Sequence, residues 1–382
     1  MKVVVSGGGT GGHVYPALTV LEAFLGGRAS GNGLPGLSPS DVLWIGSQGG
    51  MEEGLVRRAG LEFKGLAAGG LRGVGLVAKI RNSFRIATSV SKARSVLAAF
   101  EPDVVLVTGG YACVAVTLGA WLRNVPVVIY LPDIVPGLAV RFLSQFAERI
   151  AVTSEESYHY FRREKVTVTG YPVRSAVYQM DRTEARQSLG LNLEDKTVLV
   201  FGGSRGARSI NRALVAGLRE LLQACQIVHI SGRLDNDWVT GAAKQLPEPL
   251  RKRYQQHAYL HDMPQALVAA DLAVARAGAA TLGELPAAQL PSVLIPYPHS
   301  GQHQMPNAQY MQRNGAARVL LDEELEEKLV PTVLQLVDND EMLSQMKESA
   351  RAMARPDAAG AIAEELWALA RRRIARRTGA LP

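Results

Sequence analysis

Residues 3–24 read VVVSGGGTGGHVYPALTVLEAF: a β-branched run, five glycines within six positions, then a histidine and an apolar stretch of helical character. The design returns 195 residues later as VLVFGGSRGARSINRALVAGL, residues 198–218. A loop without side chains lets backbone N–H groups and a helix N-terminus approach phosphate oxygens, where the helix dipole adds to the hydrogen bonds. Two such strand–loop–helix units predict two α/β sheets and two phosphorylated ligands.

Working outward, short β-branched runs alternate with helical or loop segments. KVVVS, VLWIGS, VVLVTG, VPVVIYL and RIAVTS form one series, and TVLVFG, QIVHISG, LAVARAG and PSVLIPYP form a second after about residue 165. This is the signature of parallel, doubly wound sheets. At 382 residues and 47% hydrophobic content the chain is long enough for two cores. KVTVTGYPVRSAVYQMD, residues 165–181 with Pro172, reads as the linker, and the Gly/Ser/Pro-rich residues 26–41 read as a surface loop.

Composition excludes several classes. Cys113 and Cys225 stand far apart with no Cys/His cluster, which argues against a disulfide framework or a zinc site and fits a reducing cytosol. MKVVVSGGG lacks the apolar core of a signal peptide, so the protein is expected to stay inside the cell. Residues 104–122 carry no charge over 19 positions and meet the length of a membrane span, but Gly109-Gly110 divides them into a strand and a helix. The net charge of +7 is unevenly spread: between Glu62 and Glu101 there is no acid, but there are Lys64, Arg72, Lys79, Arg81, Arg85, Lys92 and Arg94. Leu76, Ile80, Phe84 and Ala87 form one helical stripe edged by Lys79, Arg81 and Arg85, which suits an anionic membrane surface as well as a core-facing helix with a solvated back. No aromatic residues are interleaved for base stacking, so no nucleic-acid partner is expected. RRRIARR, residues 371–377, reads as a solvated basic tail.

Gly7, Gly9 and Gly12 match G-x-G-x-x-G, so a dinucleotide oxidoreductase has to be considered. The acid that holds the ribose should close the second strand, and that strand ends in Ser47 and Gln48 instead. The NAD reading loses its support. A histidine directly after a phosphate loop, His13, stands where a substrate hydroxyl could meet a base working near neutral pH; it could equally cap or pack the helix start.

GGGTGGHVYPAL, TGGY, GYPVR, FGGSRGARSIN and the run from Tyr259 to Leu320 together resemble the MurG family of bacterial UDP-N-acetylglucosamine transferases. The most specific part is Arg276-x-Gly278, Thr281-x-x-Glu284 and His303-Gln304-x-x-Asn307 in that spacing. The resemblance implies the GT-B fold: two Rossmann-like doubly wound parallel-sheet domains facing across a cleft, here 1–164 and 165–355, with 356–382 a helix that crosses back and a basic tail. It implies GlcNAc transfer from UDP-GlcNAc to the C4 hydroxyl of MurNAc in undecaprenyl-pyrophosphoryl-MurNAc-pentapeptide, at the cytoplasmic membrane face. Gly203 and Ser204 would meet the UDP phosphates with Arg174 and Thr281, and Glu284 would accept the ribose hydroxyls. Leu260 would read the uracil edge through its backbone and Met263 would cover the ring; Ala279, Ala280, Gln304 and Asn307 would line the sugar, with Arg276 and His303 in the same donor set. Thr10, Gly11, Gly12, Gly109, Gly110 and Tyr111 would cradle the acceptor pyrophosphate and place His13 above the attacking hydroxyl. Loop amides would meet the leaving charge, so no metal or other cofactor is expected.

One departure bears on the acceptor. Where the family commonly has His-Glu-Gln-Asn, this chain has Tyr130-Leu131-Pro132-Asp133; Asp133 falls at the asparagine and is the second candidate base. A UDP-sugar transferase acting on another lipid acceptor, and a non-catalytic UDP-sugar-binding module, stay open on these residues.

Overall fold

The computed structural model describes residues 1–25, 33–66, 76–203, 206–298 and 303–379, the helix at 76–86 by its backbone alone. The chain divides into two compact units, Met1–Pro172 with Asp357–Pro382, and Val173–Pro356.

Among the described residues the first unit is built on seven strands: β1 (Val3–Gly7), β2 (Val42–Ser47), β3 (Glu62–Leu66), β4 (Val104–Gly109), β5 (Val127–Leu131), β6 (Arg149–Val152) and β7 (Val166–Val168). Their order is β3-β2-β1-β4-β5-β6-β7, and every pairing is parallel. β1, β4 and β5 are buried along their whole length, as strands covered by helices on both faces must be. The stretch 104–122 is thus β4 followed by the helix Ala112–Trp121, and among the described residues no helix is long and apolar enough to cross a membrane. The helix Ala358–Arg377 packs on the Gly11–Leu25 helix and belongs to this unit. Glu365 ties it down, accepting from Thr167 Oγ1 at 2.7 Å and pairing with Arg149 Nε at 3.3 Å.

In the second unit the strands are β8 (Thr197–Phe201), β9 (Gln226–Ile230), β10 (Tyr254–His257), β11 (Leu272–Arg276), β12 (Ser292–Ile295) and β13 (Ala317–Val319), in the order β10-β9-β8-β11-β12-β13. All pairings are again parallel.

Two expectations are corrected. Val166–Val168, read as the start of the linker, is the outermost strand of the first sheet, so the chain leaves that sheet only after Val168. RRRIARR is not a free tail: it forms the last turns of the Ala358–Arg377 helix, where Arg373 donates to the Asn124 carbonyl and Arg377 pairs with Glu101 at 3.4 Å and Asp103 at 3.5 Å. The stripe and cations assigned to 71–86 lie outside the described side chains; the helix Leu76–Phe100 carries that segment from Leu76 onward.

Candidate functional site

In each sheet the strand order reverses once, between β1 and β4 in the first and between β8 and β11 in the second. Loops leaving the carboxyl ends of the two strands at such a point diverge and leave a crevice, which is where ligands of open α/β sheets bind. Both glycine loops sit at these points.

In the first unit the loop after β1 and the loop after β4 are stitched together. Gly8 N–H donates to Gly109 O at 3.0 Å, and Thr108 Oγ1 donates to His13 O at 2.7 Å. Trp44, fully buried, donates its indole N–H to Gly7 O at 3.0 Å. Gly109 and Gly110 have φ of 127° and 103°, and a methyl group on Gly110 would stand 2.9 Å from Gly8 O, so the approach of the two loops requires glycine there. Thr10, Gly11 and Gly12 lead into the Gly11–Leu25 helix, and Tyr111 is 55% exposed beside the second loop.

His13 lies in the first turn of that helix, its Nδ1 3.0 Å from Gly8 O and 3.4 Å from Thr10 Oγ1. A carbonyl only accepts, so Nδ1 carries a hydrogen, and in the neutral ring Nε2 keeps its lone pair. Nε2 sits against the second loop: a methyl on Gly109 would come within 2.9 Å of it. Of the four residues that depart from the family pattern, Tyr130, Leu131 and Pro132 are buried, with Tyr130 OH 3.2 Å from Thr153 Oγ1; Asp133 alone keeps some exposure. Cys113, just behind the second loop, donates to Gly109 O at 2.9 Å, and burial pushes its thiol up to about 11, which makes it inert as a nucleophile.

One contributor was not read from the sequence. Glu52, in the first turn of the Met51–Arg58 helix, is 1% exposed and accepts from Gly9 N at 3.2 Å and Ser47 N at 2.9 Å. The acid missing from the end of β2 reaches the loop from five residues further on, and it faces the loop's backbone. Its only trace in the sequence is a glutamate that follows a glycine pair.

In the second unit the loop after β8 carries Gly203 at φ 84°, while Ser204 lies outside the described residues. Gly206 closes the turn on Gly203 O at 2.9 Å. Ala279, Ala280 and Thr281 follow β11; Thr281 is buried, with its hydroxyl spent on Gly278 O at 2.7 Å. His303, Gln304 and Asn307 follow β12: Gln304 Oε1 accepts from Tyr297 N at 2.9 Å, and Asn307, fully buried, donates to Ala277 O at 3.2 Å. Leu260 and Met263, both partly exposed, lie after β10, Met263 opening the Met263–Ala269 helix. All these loops leave carboxyl ends of strands, along one edge of the sheet.

Glu284 lies in the Thr281–Ala287 helix with the Arg174 guanidinium close enough to act on it. Burial pushes its carboxyl up to about 7, against the pull of Arg174. Arg276 is placed otherwise than a direct donor contact requires: its guanidinium holds Asp322 and Ser209 Oγ, the latter at 2.7 Å, and stacks over Tyr297. Ser209 is the second residue of the Arg208–Ala216 helix, so Arg276 braces the helix that follows the glycine loop after β8. Below the same helix a buried chain runs from Tyr254 OH to His229 Nδ1 (2.7 Å), from His229 Nε2 to Asn211 Oδ1 (2.9 Å), and from Asn211 Nδ2 to Asp235 (2.9 Å). Asp235 also accepts from Arg208 at 2.8 Å. Burial pushes His229 down to about 4, so it is neutral, as its two partners require. Neither Arg276's brace nor this chain had a readable spacing; each depends on side chains from separate strands.

Residues 3–152 match the glycosyltransferase family 28 N-terminal domain and residues 197–362 its C-terminal domain. A UDP-N-acetylglucosamine–N-acetylmuramyl-(pentapeptide) pyrophosphoryl-undecaprenol N-acetylglucosamine transferase of Roseiflexus sp. (strain RS-1) is 41% identical, covering 98% of this chain and 96% of that protein. The enzyme of the same name from Listeria monocytogenes serovar 1/2a is 36% identical, covering 97% and 99%. Among solved structures, Acinetobacter baumannii MurG superposes with a TM-score of 0.73 at 23% identity, covering 96% of this chain and 99% of that one. An S. aureus MnaA–UDP co-structure follows at a TM-score of 0.65 and 14% identity, covering 96% of each chain.

Proposed function

The chain belongs to glycosyltransferase family 28, and from that premise we propose that it transfers N-acetylglucosamine from UDP-GlcNAc to the MurNAc C4 hydroxyl of a polyprenyl-pyrophosphoryl-MurNAc-pentapeptide. The observation that carries the mechanism is His13, whose Nδ1–H is held by Gly8 O while Nε2 faces the second loop at Gly109. In that tautomer Nε2 takes the proton of the acceptor hydroxyl as its oxygen attacks the anomeric carbon of GlcNAc. The C–O bond to UDP breaks on the opposite face, the electron pair leaves with the diphosphate, and the configuration inverts. A base so placed contributes typically 10²–10⁴-fold. Thr10, Gly11 and Gly12, with Gly109, Gly110 and Tyr111, hold the acceptor diphosphate by backbone N–H groups and the dipole of the Gly11–Leu25 helix.

On the donor side Gly203 and Ser204 meet the UDP phosphates and Glu284 takes the ribose hydroxyls. A carboxyl that Arg174 helps to ionise suits that work, since an ionised carboxylate accepts on both oxygens. Leu260 and Met263 take the uracil; Ala279, Ala280, Gln304 and Asn307 take the sugar. With Tyr130 and Leu131 in the core, Asp133 supplies what polar character the acceptor side has at that point.

A polyprenyl acceptor stays in the bilayer, so the enzyme works as a peripheral protein at the cytoplasmic membrane face, in peptidoglycan synthesis and hence in cell shape and division. Exposed Trp121, Leu138 and Phe142 in the first unit, with Trp121 and Phe142 both edge-on to Phe146, support an apolar docking face. UDP release from UDP-GlcNAc, measured with and without a lipid-linked MurNAc-pentapeptide, tests the reading. Turnover only with the acceptor is expected. Tight UDP-GlcNAc binding with no turnover on any lipid acceptor would leave a binding module instead.

A further inference from the structure

We infer that Glu52 is the positioning residue of the acceptor loop, and that it fixes the tautomer of His13 through the single peptide group between Gly8 and Gly9. The N–H of that peptide donates to Glu52 Oε2 at 3.2 Å, and its carbonyl accepts from His13 Nδ1 at 3.0 Å. The plane of one amide is therefore held at both ends. Because the carboxyl's other oxygen accepts from Ser47 N at 2.9 Å, it has no freedom to turn: both oxygens serve as acceptors and each faces one backbone donor.

The sequence makes room for this carboxyl. A methyl group on Gly8 would stand 2.3 Å from Glu52 Oε1, one on Gly50 would stand 2.5 Å from its carboxyl, and one on Gly46 would stand 3.0 Å from its Cγ. Three glycines from three different segments line the slot of a side chain that is 1% exposed. Such a slot is more than a helix cap needs, since a cap accepts from its own helix and can be solvated. Glu52 instead serves β2's end and the loop after β1.

The arrangement has two consequences for His13. Free imidazole in water has no neighbour to choose its tautomer, whereas a carbonyl aimed at Nδ1 selects Nδ1–H and leaves Nε2 as the acceptor. An amide whose N–H donates to a carboxylate also offers a more polarised carbonyl, because hydrogen bonds in a chain strengthen one another. Glu52 thus does for His13, through one peptide, what a directly bonded carboxylate does in other catalytic histidines. The effect on turnover rests on His13 being the base; the effect on its tautomer does not.

The test uses the full chain with ¹⁵N-labelled histidine. Long-range ¹H–¹⁵N spectra at a pH where the ring is neutral distinguish Nδ1–H from Nε2–H, and His13→Gln assigns the His13 signals among the seven histidines. Wild-type protein is expected to show Nδ1–H. Glu52→Gln keeps the shape but turns one acceptor into an NH₂ that meets a backbone N–H, and it is expected to release His13 into a tautomer mixture. In the same variant kcat falls on the order of 10- to 100-fold, as a misplaced catalytic group does, while KM for UDP-GlcNAc holds within twofold. Nε2–H in the wild type, which needs no variant to fold, overturns the proposal, and so does an unchanged Nδ1–H in folded Glu52→Gln. A tautomer shift with unchanged kcat upholds the positioning and removes His13 as the base. If His13→Gln and the Glu52→Gln/His13→Gln double variant turn over equally slowly, the two residues act through one step.

Discussion

Replacing Glu284 by glutamine should make the protein more stable at alkaline pH and a poorer binder of UDP-GlcNAc. The carboxyl is pushed up to about 7 by burial, with Arg174 opposing. In the unfolded chain the same group titrates near 4.5, so between the two values the folded state holds a proton that the unfolded state has released. Stability from this residue is therefore whole below the unfolded value and lost as pH rises through the folded one, the reverse of a salt-bridged carboxylate. A displacement from about 4.5 to about 7 corresponds to roughly 3 kcal/mol at 1.36 kcal/mol per pH unit. Glu284 retains partial exposure, so about 2 kcal/mol is the realistic expectation. Urea unfolding at pH 5 and pH 8.5 reads it directly. Glu284→Gln should exceed the wild type by about 2 kcal/mol at pH 8.5 and by less than about 1 kcal/mol at pH 5. Calorimetry on the same variant should show UDP-GlcNAc affinity down about 10- to 100-fold, the loss of a charge-assisted hydrogen bond worth about 1.5–3 kcal/mol. A stability difference independent of pH would refute the desolvation argument. Undiminished donor affinity in the folded variant would take Glu284 out of the site while leaving that argument standing.

His13→Ala should lower kcat on the order of 10²–10⁴-fold at nearly unchanged donor affinity; a kcat within threefold of wild type makes Asp133 the next candidate. Gly110→Ala forces a side chain into φ 103° with its methyl 2.9 Å from Gly8 O, so stability should drop by about 1–3 kcal/mol and acceptor KM should rise, as thermal melts and steady-state kinetics would show. His229 sits near 4 in the fold and near 6.5 outside it, so its contribution is full above pH 6.5 and is lost as pH falls through 4, about 3 kcal/mol in all. His229→Gln should start less stable and lose that acid dependence in urea titrations. Charge reversal at Lys79, Arg81 and Arg85 should abolish sedimentation with anionic liposomes without unfolding; binding equal to wild type would leave the segment a packing role only.

How legible this molecule is depends on where a residue's partners come from. The central strands announce themselves because burial on both faces demands continuous apolar runs: VLWIGS and VVLVTG are β2 and β4 to the residue. The edge strands β3, β10 and β13 escape notice because half-open sequences such as EFKGL and YQQH, or the three-residue ARV, carry no such run. β7 was lost inside the linker for the same reason, since VTV is only partly buried. The two glycine loops were readable because each follows a β-branched run and opens a helix, whereas the point where the strand order reverses beside each comes only from the sheet order. Arg276 was readable as important but not as a brace, since spacing shows that a cation is fixed there and not that Asp322 and Ser209 hold it.

The two halves use one strand–loop–helix design, and they differ in where the buried polar side chains beside it lie; under the proposed transfer that difference matters. After β1 the inner side of the loop is filled by Glu52, which draws a backbone N–H inward, so the same peptide offers its carbonyl to His13 and Nε2 is left as an acceptor. In the second unit the buried polar side chains lie below the helix instead: Asn211 donates to Asp235, and Asp235 accepts from Arg208 in that helix's first turn. A hydroxyl that must lose a proton needs an acceptor facing it; a diphosphate that gains charge as it leaves needs donors. Glycine loops alone cannot supply that asymmetry, because backbone amides are alike in both. In the first unit the buried carboxyl that holds the loop is contributed by a helix more than forty positions along the chain.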